Sequence, residues 1–212
     1  MLIIGAKGFA KEVLEVICQA DRQINLAFYD DVTSNFPLML YDEFPVLQTL
    51  AEAEQWFAKD NRFVLGIGNP KVRRALAEKL KRIGGQLTST ISPKANVGIF
   101  GNHIGVGCNI MTGAVLTSDI TLGEGVLINL NCTIGHDCVI HSYCELSPGV
   151  HISGHVELGE NCVIGTGAVI LPGVKIGVNS IIGAGSVVNK DVGDNVVAVG
   201  VPAKIIKSLI PA

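Results

Sequence analysis

His136 is followed directly by Asp137. A carboxylate beside an imidazole can orient the ring and stabilise the imidazolium that forms when the ring takes a proton. Histidine, with an ordinary pKa of about 6.5, is the side chain best suited to accept one near neutrality. The pair is a candidate general base for an amine or hydroxyl nucleophile, although an idle histidine on a polar surface would read the same way. A second group lies toward the N-terminus: two glycine turns, Gly5-Ala6-Lys7-Gly8-Phe9-Ala10 and Gly66-Ile67-Gly68-Asn69, and the acidic pair Asp30-Asp31. Glycine turns that follow a strand and open a helix offer backbone amides to phosphate, and a carboxylate at the next strand end can accept hydrogen bonds from a ribose or base. Such turns also serve close packing alone. Lys7 and Phe9 depart from the full dinucleotide fingerprint, so an NAD site is not expected.

Two kinds of element must position these groups. From Ile104 to Val188 every sixth residue is Ile, Leu or Val, and the residue four places on is nearly always small or β-branched, as at Cys108, Ala114, Val126 and Ala168. A period of six fits neither a helix nor a simple alternating strand. It is the pattern of a parallel β-helix, with three repeats per triangular coil and coils stacked about 4.8 Å apart. The fifteen repeats predict five coils with two inward positions per repeat.

Five of the six cysteines, Cys108, Cys132, Cys138, Cys144 and Cys162, fall at the small inward position. There a thiol packs as a small hydrophobe. Cys144 and Cys162 stack in adjacent coils within geometric reach of a disulfide, but free thiols are expected in a reducing cytosol. No Cys-x-x-Cys pair occurs, so a structural zinc site is not expected. His103 precedes the first regular repeat, and His141, His151 and His155 fall at non-inward positions. These histidines read as solvated or interfacial, with His155 bordering Gly154.

The first 90 residues alternate strand and helix: Met1–Ile4, a helix to about Ala20, Ile24–Tyr29, a proline-containing segment Phe36–Val46, a helix Thr49–Lys59, Arg62–Gly66, and a helix Lys71–Ile83 between Pro70 and Gly84. That order predicts a small Rossmann-like parallel sheet with ligands beyond the carboxyl ends of its strands. The expected organisation is 1–90 as a Rossmann-like domain, 91–199 as a β-helix and 200–212 as its C-terminal cap. A formal net charge of −3 with no Lys/Arg block argues against nucleic acid or an anionic membrane as partner. The apolar start is too short for a signal sequence, which reads as cytoplasmic. Only 17% of residues are charged and mean hydropathy is +0.44, which is consistent with buried faces between copies.

Taken together, the two halves resemble the PglD/NeuD-like bacterial sugar acetyltransferases of the hexapeptide-repeat superfamily. The resemblance spans essentially the whole chain. It rests on Ile4-Gly5-Ala6-Lys7-Gly8-Phe9-Ala10-Lys11-Glu12-Val13, Asp30-Asp31, Gly66-Ile67-Gly68-Asn69 with Arg73, Asn129, Gly135-His136-Asp137-Cys138, Leu146-Ser147-Pro148-Gly149, Gly183-Ala184-Gly185 and Gly200-Val201-Pro202-Ala203-Lys204.

The resemblance implies a left-handed coil and a homotrimer with sites shared between prisms. It also implies acetyl-CoA as co-substrate without a metal, and direct attack by the amine of a UDP- or dTDP-linked 4-amino-4,6-dideoxy sugar made for a surface glycan such as O-antigen. His136 with Asp137 would supply the base. Lys7, Gly8, Phe9, Asp30, Asp31, Gly68, Asn69 and Arg73 would hold the nucleotide sugar, with Asn129 near the amine. Glu145, Gly154, Thr166, Ala184, Pro202 and Lys204 would meet CoA. Two positions depart from the family pattern: Phe9 and Glu145 stand where many members carry histidines. Transfer to a sugar or sialic acid hydroxyl, and a non-catalytic nucleotide-sugar-binding β-helix, remain the alternative readings.

Overall fold

The computed structural model describes residues 1–33 and 37–209; Phe36 and the last three residues of the 200–212 cap lie outside the described residues. The N-terminal part runs β1 (Leu2–Ile4), α1 (Gly8–Ala20), β2 (Ala27–Tyr29), β3 (Met39–Leu40), β4 (Phe44–Leu47), α2 (Leu50–Phe57), β5 (Arg62–Leu65), α3 (Pro70–Arg82) and β6 (Gln86–Leu87). These strands form one sheet in the order β3-β4-β2-β1-β5-β6, parallel except for the edge hairpin β3–β4. β1 and β2 are buried along their whole length, as parallel strands covered on both faces must be.

Each helix docks through an apolar stripe, Ala10, Val13, Leu14 and Ile17 in the case of α1. Gly66 ends β5 where a Cβ would lie 2.7 Å from the Cβ of Ala10, so only glycine lets α1 come this close. Helix ends are treated unequally. α2 carries a capping box between Thr49 and Glu52, and α3 has Asn69 as N-cap, Pro70 in its first turn and Gly84 at φ +90° beyond its end. α1 begins at Lys7 with no side-chain cap and no acidic residue in its first turn.

Asp60 clamps the start of β5: its carboxylate accepts from Arg62 Nε at 2.9 Å and Nη2 at 2.8 Å, and from the Met1 amine at 2.9 Å. These bonds, Arg62 first, hold the Asp60 carboxyl well below the usual carboxylate range. A depressed folded-state pKa adds stability above the unfolded value of about 3.9 and loses it as pH falls toward the folded one. Asp60→Asn is expected to lower stability by about 1 kcal/mol at pH 7. The gap should hold down to about pH 4 and narrow only below that, as urea unfolding is carried toward about pH 2; a gap unchanged at about pH 2 would refute the ionic origin.

From Thr90 the chain winds into a left-handed parallel β-helix of seventeen two-residue strands. Face one carries Thr90–Ile91, Asn109–Ile110, Leu127–Ile128, Glu145–Leu146, Val163–Ile164 and Ile181–Ile182, and is closed by the antiparallel pair Val196–Gly200 and Ala203–Ser208. Face two runs from Asn96–Val97 to Val187–Val188, and face three from His103–Ile104 to Lys175–Ile176. The inner coils pair in register at a spacing of eighteen residues, for example Ile128 with Leu146 and Leu146 with Ile164, whereas Thr90 pairs with Asn109 at the first coil and Ile181 with Val197 at the last.

The expected inward residues fill the core, from Cys108 and Ile110 through Leu146 and Val150 to Ile182 and Val188, all buried. The column begins two strands before the regular repeat, because the step from Val97 to Ile104 is seven residues rather than six and breaks the sequence period. Asn102 stitches that enlarged turn: its Nδ2 donates to Gly98 O and Thr117 O, and its Oδ1 accepts from Ile120 N.

All six cysteines are free. Each inward thiol donates to the carbonyl fifteen residues on, as Cys144 does to Gly159 at 3.0 Å. Burial pushes the Cys108 and Cys132 thiols up to about 11, which leaves them unfit as nucleophiles.

The N-terminal domain sits on face one. Met111 and Leu127 enter its core, Asn109 Nδ2 donates to Leu65 O at 2.5 Å, and Lys81 pairs with Glu124 at 2.6 Å. At the centre of this junction is Arg73, fully buried, whose guanidinium donates to the carbonyls of Gly68, Gly125, Tyr143 and Cys144.

Candidate active site

The carboxyl ends of β1, β2 and β5 open onto a crevice of two adjoining concavities, about 180 Å³ and 290 Å³, which share Gly5, Lys7, Asp30 and Ile67. The uncapped N-terminus of α1 points into it, leaving first-turn amides and the positive end of the helix dipole without a counter-charge from a side chain. Gly8 opens that helix, and a Cβ there would meet nothing within 4 Å. Packing does not require glycine at this position.

Asp30 is nearly buried and holds its own loop: Oδ1 accepts from Val32 N at 3.2 Å and Thr33 N at 3.0 Å, and Oδ2 from the Thr33 hydroxyl at 3.1 Å. Asp31 Oδ2 accepts from Lys79 Nζ at 2.5 Å and from the Tyr29 hydroxyl at 2.7 Å. Desolvation opposes its ionisation, but these two donors outweigh it and keep the carboxyl below its ordinary value.

One expectation for this crevice needs correction. Arg73 does not face it, because the guanidinium lies wholly inside the domain junction with its donors on backbone carbonyls. Asn69 uses its side-chain oxygen to cap α3, accepting from Val72 N at 3.1 Å. Glu145 stands on face one with its carboxylate against Gly68 of the crevice wall. Burial raises the Glu145 carboxyl, and the positive charge of Arg73 only partly offsets this.

His136 and Asp137 occupy the turn between faces two and three. His136 Nδ1 lies 2.7 Å from Asp137 Oδ2, and the ring's outer edge is open, with 57% of the side chain exposed. Directly above it in the next coil is Gly154, where a Cβ would come within 2.8 Å of His136 Cε1 and Nε2. Glycine there keeps the ring nitrogen reachable.

One coil beyond Asp137, at a spacing of eighteen, stands His155. Its Nε2 is 3.8 Å from Asp137 Oδ2, and its ring meets that of His136 edge-on at 5.0 Å between centroids. From sequence alone His155 reads only as a solvated or interfacial histidine bordering the CoA channel beside Gly154. The eighteen-residue coil length was the signal that would have placed it over Asp137.

The sites do not converge within one chain. The crevice and Glu145 belong to face one, and the His136 edge lies opposite that face in the triangular section. Thr166 and Ala184 fall on the edge between faces one and two, in stacked coils, whereas Gly154 falls on the edge between two and three. Asn129 follows the face-one strand Leu127–Ile128, nearly buried. Pro202 and Lys204 belong to the closing hairpin.

A further concavity of about 540 Å³ runs along face three. Glu157, Glu160, Asp191 and Asp194 line it against Lys175 and His141, a charge balance that repels phosphate. Among the described residues, no helix is long and apolar enough to cross a membrane.

Residues 1–80 match the family model described as PglD N-terminal domain, and residues 155–190 match that described as bacterial transferase hexapeptide (six repeats). No curated protein matches the chain. Solved structures do, over nearly their full length. A variant of perosamine N-acetyltransferase from Caulobacter crescentus, in complex with CoA and GDP-perosamine, is 31% identical, with TM-score 0.88 over 98% of this chain and 96% of that one. The acetyltransferase domain of PglB from Neisseria gonorrhoeae, in complex with acetyl coenzyme A, is 31% identical, with TM-score 0.88 over 97% of this chain and 98% of that one. WeeI from Acinetobacter baumannii is 32% identical, with TM-score 0.88 over the same shares.

Proposed function

The chain belongs to the PglD-like sugar acetyltransferases of the hexapeptide-repeat superfamily, and from that premise we propose that it acetylates the amine of a nucleotide-linked 4-amino-4,6-dideoxy sugar destined for a surface glycan. As in that family, acetyl-CoA is the co-substrate. The observation that carries the reading is the His136–Asp137 pair with its open ring beneath Gly154.

In this mechanism the amine lone pair adds to the acetyl carbonyl while His136 Nε2 accepts the amine proton, and Asp137 balances the imidazolium through Nδ1–H. The same proton then passes to the departing thiolate of CoA. No acyl-enzyme is needed, and the Cys108 and Cys132 thiols, pushed up by burial, are unfit to form one. The crevice suits the nucleotide diphosphate: bare first-turn amides of α1 and the Lys7 ammonium for the phosphates, and Asp30 and Asp31 toward the nucleoside.

We further read the enzyme as a homotrimer. A sugar held on face one of one subunit is turned away from that subunit's own His136, so it meets the His136 edge of a neighbour. A CoA arm lying between two prisms could then touch Gly154 and His136 of one chain, and Thr166, Ala184 and the Lys204 end of the other. The free thiols suit a cytoplasmic enzyme.

The test is thiol release from acetyl-CoA with UDP-, dTDP- and GDP-linked 4-amino-4,6-dideoxy sugars beside their 4-hydroxy counterparts. Turnover confined to one amino form supports the proposal and names the nucleotide. Release with hydroxyl acceptors alone would reassign the enzyme to O-acetylation.

A further inference from the structure

We propose that His136, Asp137 and His155 form a binding site for one divalent transition-metal ion of the zinc class, and that its occupation switches the base off. Among the described residues this is the one place where three potential ligand side chains converge, their ligand atoms all within 4.8 Å of one another. Elsewhere His141 meets Glu157, which also pairs with Lys175, and His151 meets Thr133.

The spacing suits such an ion. Two ligands each about 2.0–2.1 Å from a tetrahedral zinc stand about 3.3 Å apart. Asp137 Oδ2 lies 2.7 Å from His136 Nδ1 and 3.8 Å from His155 Nε2, which brackets that value. The three side chains are 57%, 47% and 65% exposed, so small rotations can equalise the distances without disturbing the core. Two imidazoles and one carboxylate select zinc, cobalt or nickel over magnesium or calcium, which demand more oxygen ligands.

The turn itself does not call for an imidazole. His155 holds φ +59°, and the equivalent turn positions above and below it are Asp137 and Gly173. Asparagine or glycine would serve that conformation as well. The inhibitory half rests on the reading of His136 as the base: a metal on Nδ1 fixes the proton on Nε2, and a metal on Nε2 removes the lone pair outright.

The experiment uses tag-free, metal-stripped protein titrated with Co²⁺ and followed by its visible ligand-field absorption, then displaced with Zn²⁺. One equivalent per chain is expected. Loss of even an outer-shell partner weakens metal sites about 10–100-fold, so His155→Asn should weaken binding by at least about tenfold. Asparagine suits the left-handed turn, which keeps that variant folded.

Equal affinity in the two proteins, or no saturable band, would overturn the site. In the transferase assay, zinc should inhibit the parent protein and spare His155→Asn; equal inhibition of both would overturn the switch. If cobalt binds with the expected dependence on His155 while metal-free protein transfers no acetyl group to any acceptor, the metal site stands and the functional reading fails.

Discussion

Replacing His136 with alanine is expected to lower the turnover of acetyl transfer by about 10²–10⁴-fold, the usual contribution of a positioned general base. The Michaelis constant for the nucleotide sugar should scarcely move. The reason for the split is spatial: the crevice at the ends of β1, β2 and β5 belongs to face one, and the imidazole stands on the edge opposite that face. Binding and proton transfer are thus assigned to different parts of the prism, and truncating an exposed ring disturbs no buried contact. Asp137→Asn should give a smaller loss of turnover, because the ring remains while its orientation and the charge that balances imidazolium are weakened. Steady-state thiol release with both substrates varied separates the two parameters. An alanine variant whose turnover stays within a few-fold of the parent would remove His136 from the mechanism.

Arg73→Ala is expected to be the most damaging single change to stability, about 3–5 kcal/mol in urea unfolding. The guanidinium is fully buried, and burial, only partly offset by the nearby Glu145 carboxylate, pushes its pKa down to about 10, so it is retained at a real desolvation cost. It repays that cost by bonding four carbonyls from three stretches of chain: Gly68 before α3, Gly125 in one coil, and Tyr143 with Cys144 in the next. Alanine would leave those acceptors unpaired in a site with no room for compensating movement, since Tyr143 and Cys144 are themselves buried. Arg73→Lys should recover only part of the loss, because one ammonium cannot reproduce the planar fork. A loss below about 1 kcal/mol would mean that water satisfies the carbonyls and that other contacts hold the two domains together.

Much of this was legible in the residues. The six-residue period fixed the inward columns from Ile104 onward because a coil of constant length puts every equivalent side chain in the same environment. Strand-helix alternation gave the N-terminal elements because their caps and glycine stops are local signals, as at Thr49, Asn69 and Gly84. What escaped was set by tertiary position. The first coil was hidden by its seven-residue step. Arg73 was read as a ligand-binding residue because an arginine after a glycine turn looks the same whether it faces a phosphate or the underside of a neighbouring domain. His155 became informative only once residues eighteen apart were seen to lie in contact.

The seven-residue step from Val97 to Ile104 has a consequence for how such chains can change length. The inner coils above it hand their register to the next through stacked side chains, such as the hydrogen-bonded pair Asn161 and Asn179 at one edge. A single inserted residue in mid-column would rotate all later positions out of step with the coils beneath, turning aliphatic residues to water and charges to the axis. Insertions and deletions there must come in whole turns of eighteen. The odd residue survives at the first coil because nothing lies beneath it to be misaligned, and because Asn102 absorbs the slack. Length in this half of the molecule is therefore quantised, and its terminal coil is where evolution can afford a fraction of a step.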